Sequence, residues 1–410
     1  MVSKTTLYVI GLLVFGSLNT LTTKIQFELT SVGLDGNVKH FKKPWFGTLT
    51  MFLGMTIVLL IHFVNVLIRR SVNNSEKSAP FLEAGVKPPK VPSFWEAAKL
   101  IALPAMLDLV ATVLCFVGLL YNSASIWQML RGSMIIFSAI LSVIFLKRKL
   151  HAYHWFAVAV CSAAIVIVGY ANMKAAAGHP AASATSPGMV VFGMALIVIG
   201  QVIQASQVVT EERLLKGCSI EPFQIVGMEG VWGSLAMIFI FFPILYLLPG
   251  SDSGSAESIS DTFTMLSNNH QLLWLVGLYV FSVFTYNMSG MLVTYALSAV
   301  HRTMLEASRT AIIWIFDLIV HYLISPDSSF GEVWTNWSWL QLFGFALLIL
   351  GQSIYSELVR VPGFYYPPRP IVATIESIQA SPASVRYNVM IPGEEVRDGE
   401  LIMVMESKKN

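Results

Sequence analysis

Long apolar runs separated by short polar gaps fill most of this chain. Ten runs reach the length a helix needs to cross a hydrocarbon core, about 20 residues. They cover roughly 5–23, 44–68, 97–119, 123–146, 152–172, 189–215, 222–248, 272–296, 299–324 and 338–358. Stretches such as VVFGMALIVIG do not alternate apolar and polar positions, as the strands of a membrane barrel would. The pattern predicts an all-α polytopic membrane protein with ten transmembrane helices. The first run follows Lys4 and has no small-x-small cleavage site, so it reads as a retained helix. The gaps at Tyr121–Ser123 and Leu297–Ser298 are short and predict antiparallel neighbours.

Two of these stretches resemble each other. YNSASIWQMLRGSMIIF starts at Tyr121, and YALSAVHRTMLEASRTAIIWIF starts at Tyr295. Each runs from Tyr through Ser-Ala to an Arg and then an apolar run, so Arg131 and Arg309 match. Trp155 precedes Gly169 by the same interval as Trp337 precedes Gly351. The expected organisation is a first five-helix half (1–174), a linker (175–188), a second half (189–360) and a disordered cytosolic tail (361–410). Five spans per half put the second half upside down relative to the first. Inverted repeats are the architecture of alternating-access transporters, with the site between the halves.

Charge adds orientation. Only 12% of residues are charged, against about 25% in soluble proteins, so lipid is the outer solvent. Of the 26 Lys and Arg residues, Lys39, Lys42, Lys43 and Lys174 lie in the gaps of one side. Lys24, Arg131 and Arg309 lie in or at the edge of apolar runs, and all the rest lie in the alternate gaps or at the run ends that border them. By the positive-inside rule that side, with both termini and Lys147-Arg148-Lys149, is cytosolic. The opposite loops, around 249–271 and 325–337, carry Asp252, Glu257, Asp261, Asp327 and Glu332 but no Lys or Arg. No basic patch interleaved with aromatics suggests nucleic acid. Cys115, Cys161 and Cys218 are too scattered for a disulfide framework or a zinc site. No phosphate loop, protease motif or nucleophile–base arrangement stands out, so no cofactor and no enzyme activity are expected.

Polar groups inside apolar runs carry the chemistry, because each is costly there unless it faces a cavity or a partner. Asn19 and Thr23 share one face of the first run, and Lys24 either joins them or snorkels to the interface. Asp108 follows Pro104 by four residues and suits either proton coupling or a fixed pairing with Arg131 or Lys24. Gln128 and Arg131, three apart, point the same way, and the arginine reads as an anion contact or half of a buried ion pair. Gln201, Gln204, Gln207 and Glu211 fall within one arc, which either lines a hydrated cavity or bonds to neighbouring helices. Glu211 and Glu212 are expected at the cytosolic interface. Glu229, set among Gly227, Gly230 and Gly233, is either interfacial or at a close helix contact. Asn287 and Ser289 are polar positions of the eighth run. Glu306 and Arg309 either neutralise each other on the ninth or line the site. Asn336-Trp337-Ser338 is a glycan sequon, and Tyr387-Asn388-Val389-Met390 fits a tyrosine-based sorting signal.

With these residues in view, the chain resembles the drug/metabolite transporter superfamily, in particular the nucleotide-sugar-transporter-like solute carrier family 35. The likeness rests on Gly16-Ser17-Leu18-Asn19-Thr20-Leu21 with Lys24, Met51-Phe52-Leu53-Gly54, and Gln128-Met129-Leu130-Arg131-Gly132 with Ile135-Ile136-Phe137. Glu211-Glu212, Glu229-Gly230, Ser308-Arg309-Thr310 and Trp314 support it. A more distant likeness is to the chloroquine-resistance transporters of parasites. The resemblance implies a solute carrier with a cavity between two halves. The lysine-bearing motif of typical nucleotide-sugar transporters is absent from the ninth run, where Glu306 and Arg309 stand instead.

The sequence thus leads to a secondary transporter moving a small polar, anionic metabolite across an organelle membrane of lysosome or Golgi type. The expected site is Asn19, Asp108, Gln128, Arg131, Gln201, Gln204, Asn287, Glu306 and Arg309. Arg131 and Arg309 would hold the anion, and Asp108 or Glu306 would carry a proton or balance charge. The alternative is a non-transporting membrane scaffold whose polar residues only glue helices together.

Overall fold

The structure is a computed structural model, and it describes residues 3–73, 92–122, 124–176, 187–218, 220–250, 252, 254–324 and 333–366. Helix α1 (Lys4–Glu28) leads into a hairpin, β1 (Thr30–Val32) antiparallel to β2 (Val38–His40). Next come α2 (Pro44–Asn73), α3 (Phe94–Leu120), α4 (Ala124–Arg131), α5 (Met134–Phe145), α6 (Ala152–Ala176) and α7 (Pro187–Gly217). α8 (Pro222–Ala236) passes through a π turn at Met237–Phe241 into α9 (Phe242–Leu247). A short pair follows, β3 (Pro249–Gly250) with β4 (Gly254–Ser255), then α10 (Ile259–Asn268) and α11 (His270–Ala296). α12 (Ala299–Ile319) ends in a π segment (Val320–Ile324), and α13 (Ser338–Tyr355) is the last helix described.

Local chemistry sets several of these limits. Ser93 and Glu96 form a reciprocal capping box at the start of α3. Pro222 opens α8 at a position where its missing N–H costs nothing. Pro243 has no N–H for the helical ladder, and the π turn lies just before it. Pro104 interrupts the ladder of α3 without ending the helix.

Eight of the described helices are long and apolar enough to cross a membrane, with α8 and α9 counted as one. Two of the ten expected spans depart from a single apolar helix. The stretch 123–146 breaks into α4 and α5 at Gly132-Ser133, where Ser133 N–H bonds to Leu130 C=O and Ile135 N–H to Gly132 C=O. These bonds reach back three residues, so the chain tightens there instead of continuing as one α-helix. The stretch 299–324 is one helix, but His301, Arg302, Glu306, Arg309 and Asp317 keep it from being mainly apolar.

The helices pack in pairs: α1 with α11, α3 with α7, α2 with α8, α6 with α13, and α5 with α12. Glycine lets two of these pairs come close. A Cβ on Gly351 of α13 would lie 2.6 Å from Cys161 Sγ of α6. Gly227, Gly230 and Gly233 of α8 lie against Leu59, Thr56 and Phe52 of α2. The larger core joins α2, α3, α8 and α11 around Phe52, Ile101, Ile225 and Met291. A second joins α5, α6, α12 and α13 around Ile135, Cys161, Met304 and Leu348. Large apolar side chains such as Leu60, Leu103, Phe239 and Trp274 point outward, as they should where the surroundings are lipid.

The hairpin clasps one end of the bundle. Ser31 donates to the Met265 carbonyl at 2.6 Å, and Leu34 N–H donates to Asp261 at 2.7 Å. The Lys43 ammonium is buried between Asp252 and Asp261, 2.6 Å from the latter, and Lys39 reaches Asp261 at 2.9 Å. Burial alone would raise the Asp261 carboxyl. The Lys43 ammonium, the Leu34 N–H and Lys39 outweigh it and hold the group well below the usual carboxylate range. These pairs, and Lys24 with Asp317 at 3.1 Å, account for cations that broke the charge asymmetry of the sequence.

Towards the C-terminus, the chain after α13 packs back on α6, with the Tyr366 ring 4.5 Å from Tyr153. Of the expected tail, residues 361–366 belong to this packed segment. The sorting motif at Tyr387–Met390, and also Asp327 and Glu332, lie outside the described residues. In the sequon, Asn336 is exposed, whereas Ser338 is buried as the first residue of α13.

Candidate functional site

The midpoint of α12 places Arg309 beside α1 and α11. Its guanidinium packs on Gly16 of α1, where a Cβ would sit 2.8 Å from Arg309 Nη1. The guanidinium carbon also lies 5.1 Å from the ring centre of Tyr286 on α11. Without the bare backbone at Gly16 the arginine would not fit. Arg309 Nε has no hydrogen-bond partner although it is buried. One turn along α1, the Asn19 Oδ1 atom is in the same condition. A donor and an acceptor, both buried and unmet, leave polar capacity for a ligand.

Arg131 ends α4 at the helix break, and its guanidinium lies 4.6 Å from the Trp127 ring centre. The Trp127 indole N–H donates to the Cys115 carbonyl at 3.1 Å, which fixes the ring. Each arginine therefore rests on an aromatic face, and among the described residues neither is in an ion pair. An unpaired guanidinium on an aromatic ring keeps its donors free for an anion. Both lie within electrostatic reach of Tyr286.

A second set of charges adjoins this one. Arg302 is buried and bonds Glu211 of α7 at 2.6 Å and Glu306 at 2.9 Å. Gln207 donates to Glu211 at 2.8 Å. Tyr286, under Arg309, also lies within electrostatic reach of Glu306, which brings the two sets together. Asp108 of α3 faces Glu211, Arg302 and Glu306. Glu229 of α8 faces Glu211 and Asp108.

The expected site residues sort as follows. Arg309 packs on α1 one turn from Asn19, Arg131 stands on Trp127 at the end of α4, and Asp108 and Glu306 belong to the carboxylate set. Gln201 is buried and donates to Cys115 Sγ at 3.2 Å, in the contact between α3 and α7. Asn287 bonds within its own helix to the Val283 carbonyl at 2.9 Å. Gln204 is half-buried on α7. Gln128 lies on α4, and its side chain lies outside the described residues. Asp108 pairs with neither Arg131 nor Lys24, since Lys24 is held by Asp317.

The sequence reading missed three residues. Tyr286 and Trp127 carry no sequence signal that sets them apart from other aromatics in apolar runs, and only the arginines over them single them out. Arg302 was counted among the cations of the cytosolic gaps because it follows the turn at Leu297–Ser298. Glu211 and Glu212, expected at the interface, are both 1% exposed. The reason is that Arg302 pairs with the first, while Lys216, Arg148 and the Ala299 N–H reach the second.

Comparison with known proteins agrees with this architecture. Residues 37–245 match the nucleotide-sugar transporter family. Solute carrier family 35 member F6 of Rattus norvegicus is 32% identical over 367 residues, covering 87% of this chain and 90% of the relative. The Homo sapiens protein of the same name is 31% identical with the same coverage. An uncharacterised protein of Schizosaccharomyces pombe is 30% identical over 264 residues, 64% of this chain and 75% of the relative. A solved crystal structure shares the fold at 13% identity, with a TM-score of 0.50 over 88% of this chain and 99% of that one. The chain belongs to solute carrier family 35, as a multi-pass membrane transporter of the F6 type.

Proposed function

We propose that this protein is a secondary-active transporter, not an enzyme, that carries a small polar anion across an organelle membrane by alternating access. The observation that carries the reading is the pair of unpaired arginines, Arg131 on Trp127 and Arg309 on Tyr286. Each comes from an equivalent position in its half of the sequence. In this reading α4–α5 forms one broken span and α12 another, which gives ten. Broken helices at mid-membrane are where carriers build their sites.

Helix pairing supports two inverted halves. Exchanging the first five spans for the last five turns the α1–α11 pair into the α7–α3 pair. The same exchange returns α2–α8, α5–α12 and α6–α13 to themselves. All five pairs exist. Polar bridges between the halves occur at both ends of the bundle. Lys24–Asp317 and the hairpin clasp close the end we assign to the lumen. Arg148–Glu212, at 3.4 Å, links the halves at the end we assign to the cytosol, where both termini lie. Alternating access requires these two sets to open in turn.

A panel of small metabolites, anionic and neutral, tests the reading by thermal stabilisation of the purified full-length protein. A bound ligand raises the unfolding temperature with its concentration. The expected result is saturable stabilisation by one class of anion, absent in Arg309→Gln. No stabilisation by any anion would favour a scaffold and overturn the proposal.

A further inference from the structure

Four carboxyls stand inside the bundle around one guanidinium, that of Arg302. Glu211 and Glu306 hold its nitrogens at 2.6 and 2.9 Å. Asp108 faces the group from α3. Glu229 differs from these three. It is 2% exposed, its Oε1 has no hydrogen-bond partner, and its carboxyl faces that of Glu211.

The elements packed on α8 bring Glu229 little positive charge. α2 presents Leu59, Thr56 and Phe52 to the glycine face of α8, and α11 adds the apolar Met288 and Met291 to the core beside it. α3 presents Asp108 and α7 presents Glu211, both acidic. His62 of α2 is held at the end of α8 by Glu221. The cation facing Glu229 is Arg302, which already holds two carboxylates. An ionised carboxylate buried without a cation of its own is so costly that such a group takes up a proton instead. Two carboxyls in contact hydrogen-bond only if one of them carries a proton.

We infer that Glu229 is a proton-binding site, sharing its proton with Glu211, and that this proton accompanies the solute anion. The binding step stands by itself, and the coupling rests on the transport reading above. The Glu229 hydroxyl donates to Glu211 while Glu211 holds Arg302. When the Arg302 bridges open, the proton leaves to water at the cytosolic end. An anion on Arg131 and Arg309 removes positive potential from the centre and so favours the protonated form.

Infrared difference spectroscopy of the full-length protein in lipid bilayers tests this with the proton itself as the probe. The wild type should show a carboxylic-acid C=O band that vanishes on alkalinisation and returns in acid. Glu229→Gln should delete that band and Asp108→Asn should retain it. Glu229→Asp, which keeps the acid, should move its frequency and serves if the glutamine variant does not fold. Arg309→Gln imitates an added anion and should shift the band's midpoint to higher pH. A band that survives Glu229→Gln, or keeps its frequency in Glu229→Asp, overturns the assignment. An unmoved midpoint in Arg309→Gln overturns the coupling. A titrating band in a protein that no anion stabilises would sink the transport reading and leave the proton site standing.

Discussion

Replacing Arg302 by Met separates a buried charge network from an ordinary edge cation. The Arg302 side chain is 8% exposed, with Glu211 at 2.6 Å and Glu306 at 2.9 Å. Methionine keeps the length and apolar stem but leaves two carboxylates without their cation. Removing one partner of a buried pair costs about 3–5 kcal/mol, chiefly because the other charge stays buried and unmet. An exposed pair at the membrane edge is worth about 0–1 kcal/mol. The two positions for Arg302 thus differ by several kcal/mol. Reversible unfolding in mixed micelles measures the difference directly. Adding Glu211→Gln to Arg302→Met should restore part of the loss, with a coupling of about 0.5–3 kcal/mol. A loss below about 1 kcal/mol, with no coupling, would refute the buried network.

Two further outcomes test the frame around the site. Gly351→Leu should destabilise the α6–α13 pair by at least about 1–3 kcal/mol through overpacking, since a Cβ there already lies 2.6 Å from Cys161 Sγ; unchanged unfolding would show a looser contact. Glu257 makes the clasped end sensitive to pH. Its carboxyl accepts N–H bonds from Trp45 at 3.1 Å and Phe46 at 2.6 Å, and burial pushes it from 4.5 up to about 7. The folded state therefore binds more protons than the unfolded state between those values, so stability falls as pH rises through that window. At about 1.4 kcal/mol per unit the change is about 3 kcal/mol. Asp261, held low, works oppositely: its contribution is present above its ordinary value of 3.8 and is lost as pH falls below it. After correction for the intrinsic, base-catalysed rise of amide exchange with pH, protection across 30–46 should fall from acid to neutral pH in the wild type and fall less in Glu257→Gln; an equal slope in both would remove Glu257 from the clasp.

The long apolar runs were legible because a span needs continuous apolar length, and sequence displays length directly. Arg131 and Arg309 were legible because charge in such a run is expensive and invites a reason. Partners distant in the chain were not. Lys43 meets Asp261 across 218 residues, and Glu211 meets Arg302 across 91. No local pattern announces either contact, so Lys43 read as an exception to sidedness and Arg302 as one more cation of the cytosolic gaps. The break at Gly132-Ser133 was hidden because glycine and serine are common inside membrane helices. Tyr286 was hidden because an aromatic residue in an apolar helix looks like core until an arginine is found on its face. Burial of the Gln201 amide on Cys115 likewise depended on which helix came to lie beside α7.

The account rests on one anion being held between two arginines, one from each half. Uptake of the stabilising metabolite into proteoliposomes, compared among wild type, Arg131→Gln and Arg309→Gln, tests it most directly. The account predicts saturable uptake in the wild type and its loss in each variant, with both variants folded and inserted. Full uptake in either variant would contradict it.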